Sequence, residues 1–233
     1  MKFLFALFMA IVSIYASSFK SEKVLEMKES EIEISNKNGI KVGQSGFLFR
    51  DFDTKNGSIL AVATVIKTDN QKAIVKVENS DYLKQSSLPT LKSNISKGDT
   101  FFFDVYSNRA LLITPNQDSY ITISKNLKEY SLIHPDIFSS YLMANNKLSP
   151  TISSFKEFCM DNSVGTLFIA NENVLHKLDC LSFYEMNKYS VNFKQDEFIS
   201  PFYSRVGELE VNWFVFGEKR VDNYSEFYKN LIR

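Results

Sequence analysis

The chain is poor in the residues from which most chemistry is built. Among 233 residues there are two histidines, two cysteines and one tryptophan. His134 and His176 lie far apart in sequence and no carboxylates cluster near either, so no metal-ligand set is expected. Neither GxSxG nor HExxH occurs, and no titratable pair has the spacing of a general acid and base, which argues against an enzyme. Charge of one sign is also missing, since Lys plus Arg equals Asp plus Glu at 27 each. With no net field to gather polyanions, a nucleic-acid partner is not expected, and with no phosphate-binding loop or metal-ligand set no cofactor is expected either. No apolar run, that of the first residues included, reaches the roughly 20 residues that cross a bilayer as a helix.

Aromatic residues are abundant, with 21 phenylalanines, and hydrophobic residues make up 44% against 23% charged. That composition folds. The rings either build the core or leave a surface for a partner.

Lys2, the apolar run from Phe3 to Ile14, and the small residues Ala16, Ser17 and Ser18 have the three parts of a secretory leader. Cleavage is expected after Ala16 or Ser18, which makes 1–18 a signal peptide and the protein exported, to the periplasm or the cell surface. A permanent anchor is the alternative, disfavoured by the shortness of the run.

The stretch Gly98 to Asn116 divides the remainder. Before it, short β-prone runs alternate with turns. Val24, Met27, Ile32 and Ile34 mark extended segments with a turn at Lys37-Asn38-Gly39; Ser58 to Lys67 and Lys72 to Glu78 form a hairpin about Asp69-Asn70-Gln71, with Ala73, Val75 and Val77 facing a core. Gly39, Gly43 and Gly46 lack the Lys-Ser/Thr of a phosphate-binding loop and are read as turn glycines. Residues from Ser80 to Ser96 read as a long connection, and Phe101 to Tyr106 as the closing strand. Residues 19–106 are thus expected to form a small β-barrel or sandwich.

Residues 107–233 mix strands with helices, giving an α+β chain whose second domain packs helices on a mixed sheet. A strand at Ala110 to Thr114 leads into a helix from Asp118 or Ser119 to about Tyr130. Pro135 opens a helix with Ile137, Phe138, Tyr141 and Leu142 inward, and Pro150-Thr151 another with Ile152, Phe155, Phe158 and Cys159 inward and a capping box from Ser154 to Glu157. Thr166 to Ala170 is a buried strand. His176 to Tyr184 and Tyr189 to Phe193 read as strands around a Met186-Asn187-Lys188 turn, and Val211 to Phe216 as the last strand. Tyr224, Phe227, Tyr228 and Leu231 recur at helical spacing.

In an exported protein Cys159 and Cys180 are expected as a disulfide, with two buried thiols as the alternative. Oxidation would bar either from pairing with a histidine as a nucleophile. Both histidines are read as structural.

The order of Gly39-x-Lys-Val-Gly43-x-Ser-Gly46, Leu88-Pro89-Thr90, Gly98-Asp99, Asn108-Arg-Ala-Leu-Leu-Ile113-x-Pro115-Asn116, His134-Pro-Asp-x-Phe138 with Tyr141-Leu142, and Phe155 to Cys159 resembles the N-terminal domain of bacterial plasminogen-binding surface proteins. The resemblance runs from about Val24 to Cys180. It implies an exported, non-enzymatic protein that captures host plasminogen. In that family a lysine-rich extension follows this domain and binding is associated with a terminal lysine. This sequence departs from the pattern, since Arg233 is its last residue and the one candidate for a lysine-like ligand. The competing expectation is a periplasmic scaffold subunit, contacting other subunits of an envelope machine such as a flagellar motor accessory ring or disk.

Overall fold

The protein is described as a computed structural model covering residues 20–78, 94–193, 197–207, 209 and 219–232. The leader, the 211–216 strand, most of the Ser80 to Ser96 connection and Arg233 lie outside the described residues. Six antiparallel strands build the first layer: β1 (Lys20–Lys28), β2 (Glu31–Ser35), β3 (Ser45–Asp51), β4 (Gly57–Thr68), β5 (Lys72–Glu78) and β6 (Thr100–Phe103). They close as a barrel in the order β1-β2-β5-β4-β3-β6, with β6 returning to β1. Alternation fills it: Val24, Ile32, Ile34, Leu48, Val65, Ala73, Val75, Phe101 and Phe103 point inward. Irregularities in β1, β3 and β4 supply the extra bend that closure of a small barrel needs. Where the chain enters β6, the Arg50 guanidinium forks onto Asp99, with Nε to Oδ1 and an Nη to Oδ2 both at 2.7 Å.

Two sequence expectations shift here. The first hairpin turns at Glu29, which takes a φ of 54°, and Lys37 to Gly39 instead connects β2 to β3. The last barrel strand ends at Phe103, because Asp104 and Tyr106 adopt left-handed φ values of 55° and 64°.

The second layer is a five-stranded sheet in the order β11-β10-β9-β7-β8, from β7 (Arg109–Ile113), β8 (Ser131–Ile133), β9 (Thr166–Asn171), β10 (Val174–Asp179) and β11 (Glu185–Ser190). It is mixed: β7 runs parallel to β8 and β9, while β9, β10 and β11 are antiparallel neighbours. Helix α1 (Gln117–Ser124) contributes Ile123 to the core on one face, with Leu112, Phe168 and Leu175. Helices α2 (Pro135–Ala144), α3 (Ile152–Asp161) and α4 (Tyr224–Leu231) share the other core with Leu111, Ile113, Leu167 and Ile169. A cluster of phenylalanines gathers there: Phe138 stacks on Phe155 at 4.6 Å and on Phe202 at 5.4 Å.

Several boundaries differ from the sequence reading. Helix α1 is shorter than expected, and the residues after it supply β8, a strand too brief to leave a periodic signature. Ile137 and Ile152 sit in the first turns of their helices and are 50% and 40% exposed, so neither belongs to the buried stripe. The capping box of α3 uses Thr151 and Ser154, one turn earlier than expected. The expected turn at Met186 to Lys188 lies within β11; the chain reverses at residues 180–184, where Phe183 takes a φ of 62°. No helix among the described residues is long and apolar enough to cross a membrane.

Candidate functional site

The two histidines fall at separate places. His134 is the N-cap of α2: its Nδ1 lies 3.2 Å from the Asp136 backbone N–H and 2.9 Å from Asp136 Oδ1. Burial against Tyr120 and Tyr203 pulls its pKa below 6.5 despite the Asp136 charge. Asp136 is itself engaged by Arg205, whose backbone N–H and Nε donate at 2.8 and 2.7 Å. Burial works to raise the Asp136 pKa, but these Arg205 bonds outweigh it and hold the carboxyl low. The imidazole thus has capping and ring contacts, and its carboxylate neighbour is already satisfied.

His176, in β10, places Nδ1 2.5 Å from Glu185 Oε1, and Lys188 lies 3.0 Å from the other Glu185 oxygen. This cross-strand group ties β10 to β11. No group of three metal-ligating side chains occurs among the described residues. Cys159, on α3, and Cys180, after β10, are joined as a disulfide with Cα atoms 6.0 Å apart. Both are fully buried, so the bond fixes α3 against the end of the sheet.

That end of the sheet meets the barrel. Asp179 Oδ1 accepts the Ser45 hydroxyl at 2.6 Å and the Ser182 N–H at 2.9 Å, while Oδ2 accepts the Ser45 N–H at 3.0 Å. The Ser182 hydroxyl donates back to the Gly43 carbonyl at 2.6 Å. The residue keeps some exposure at its rim, but protein atoms surround the carboxylate, and burial raises its pKa against the pull of these donors. Phe47 and Val62 leave the barrel wall to join the helix-covered core of the sheet. Gly43, at a φ of +89°, packs its bare Cα under Tyr184: a Cβ there would lie 2.0 Å from the ring.

Beside this joint a cleft of about 450 Å³ opens between the layers, lined by Lys20, Lys41 and Gln44 from the barrel and Tyr130, Lys177 and Asn187 from the sheet. The Lys177 ammonium donates to the Tyr130 hydroxyl at 2.9 Å. Gln44 and Lys20 occupy the two oxygens of Asp104 at 2.6 and 2.9 Å. Sequence reasoning missed both joint and cleft. The joint's partners stand 134 positions apart, and no local pattern announces such a pair.

A closed barrel fused to a mixed sheet with helices defines an α+β architecture, with the two histidines at separate places in it. The chain belongs to the family described as plasminogen-binding protein pgbA N-terminal, which matches residues 20–232. It is similar to the plasminogen-binding protein PgbA of Helicobacter pylori strain J99, 28% identical over 200 residues, covering 83% of this chain and 43% of that one. The same protein of strain 26695 matches at the same identity and coverage. The chain therefore spans less than half the length of these relatives. No solved structure matches it.

Proposed function

We propose that this is an exported, non-catalytic protein that works by protein contact, and that its partner is plasminogen. The observation that carries this reading is the extent of the family match, residues 20–232, which takes in barrel and sheet together. The relatives are named for binding plasminogen. The leader-like first 18 residues and the disulfide fit an oxidising compartment outside the cytoplasm. In this reading residues 19–106 and 107–233 are two modules of one binding body, and Arg233 is nominated as the lysine-like ligand.

Purified protein tested against immobilised plasminogen, with and without a lysine analogue, decides the matter. Saturable binding that falls with the analogue, and falls again when Arg233 is removed, is expected. Absence of binding overturns the partner; binding indifferent to both changes keeps the partner and discards Arg233. No observation on this fold favours the flagellar scaffold over this reading.

A further inference from the structure

We infer that the cleft between barrel and sheet is a binding site for a small zwitterion bearing a carboxylate, of the amino-acid or short-peptide class. Its volume, about 450 Å³, falls within the range of small-ligand pockets. The charges around it are unevenly committed. Asp104 is already paired with Lys20 and Gln44, and the Asp179 carboxylate is engaged by Ser45 and Ser182. The cations are less committed. Lys177 gives one of its three donors to Tyr130, and the exposed Lys41 ammonium has no side-chain partner among the described residues.

These two ammonium groups can meet an anionic group. The Tyr130 hydroxyl steadies the half-buried Lys177, so less side-chain freedom is lost when it binds. A phosphate suits the cleft poorly: no arginine and no helix N-terminus lines it, and Glu129 on its wall would repel a dianion. Glu129, exposed and without a partner among the described residues, instead suits an amine on the same ligand as the carboxylate. The cleft thus presents cations from both layers and one carboxylate, Glu129, without a partner among the described residues, and the exposed Asn108, between β6 and β7, lines it too, as a candidate contact for a peptide group.

Triglycine, N-acetyl-triglycine, triglycine amide and inorganic phosphate serve as probes, titrated into the purified chain and followed by calorimetry and by backbone amide NMR shifts. Triglycine should saturate, shift the amides of Asn108 and Asn187, and bind at least about tenfold more tightly than the amide, which lacks the carboxylate. Lys177→Gln should weaken triglycine about tenfold, the exposed Lys41→Gln should weaken it without touching the fold, and Glu129→Gln should erase the advantage of triglycine over its N-acetyl form. Equal binding of acid and amide, phosphate binding as tightly as triglycine, or shifts that never saturate would each overturn the proposal. If Lys177→Gln fails to fold, Lys41→Gln and the site of the shifts decide it.

Discussion

The Asp179 carboxylate accepts both the hydroxyl and the backbone N–H of Ser45, so one side chain of the sheet fastens the start of barrel strand β3 at two points. An amide in its place keeps one acceptor oxygen and turns an NH₂ toward a site where backbone N–H groups of Ser45, Leu181 and Ser182 only donate. Asp179→Asn should therefore destabilise the protein by about 2 kcal/mol at neutral pH. The pH dependence has a definite sign. Burial raises the folded-state pKa, so the native chain binds the proton more tightly than the unfolded one, and this contribution is fully present below the ordinary value of 3.8 and lost as pH rises through the folded value. Urea denaturation of both proteins at several pH values should show the wild type gaining on the variant as pH falls.

For His134 the sign runs the other way. Its folded pKa lies below 6.5 because burial disfavours the imidazolium, so acidification protonates the unfolded chain first and stability is lost as pH falls below about 6.5. His134→Gln should flatten the stability profile in that window and leave the proposed plasminogen binding unchanged. A folded variant that no longer binds would give this histidine a role beyond the cap.

Replacing Cys159 and Cys180 together by alanine should cost on the order of 3 kcal/mol, the loop-closure value for a crosslink of this span. Denaturation with and without reductant checks it: the wild type should move toward the double variant on reduction, and the variant should not respond.

Helix α4 docks through two buried phenols. Tyr228 donates to the Pro201 carbonyl at 3.1 Å and Tyr224 to the Ala170 carbonyl at 3.0 Å. Tyr228→Phe leaves one buried carbonyl unmet and should cost about 1 kcal/mol, whereas Tyr228→Ala also empties the site and should cost about 3 to 5 kcal/mol. Thermal melts separate the two, and equal losses would mean that the hydrogen bond dominates the packing.

Local pattern made part of this architecture legible. Ala73 and Val75 alternate with the less buried Lys72, Ile74 and Lys76 and face the barrel core, and Tyr224 and Tyr228 recur at helical spacing on the buried side of α4. Pro135 marked the start of α2 because the ring fits a first turn. Errors arose where local chemistry resembles something else. Leu181 and Phe183 look like strand residues but occupy the reversal after β10, while Asn187, a common turn residue, sits inside β11. The cleft was not legible at all. Its walls come from loops and strand ends spread from Lys20 to Tyr189, and only the packing of barrel on sheet brings Lys41 and Lys177 to one place.

Phe47 and Val62 belong to strands of the barrel yet are buried in the core of the sheet. The six barrel strands are complete by Phe103, so as the chain is made from its N-terminus the barrel can close before any strand of the sheet exists. In that interval the two side chains form an uncovered apolar spot, one that other chains can also meet. The seam between the layers is thus a vulnerability of timing: an excised barrel should be stickier than the whole protein, and anything that delays arrival of the later strands lengthens the exposure.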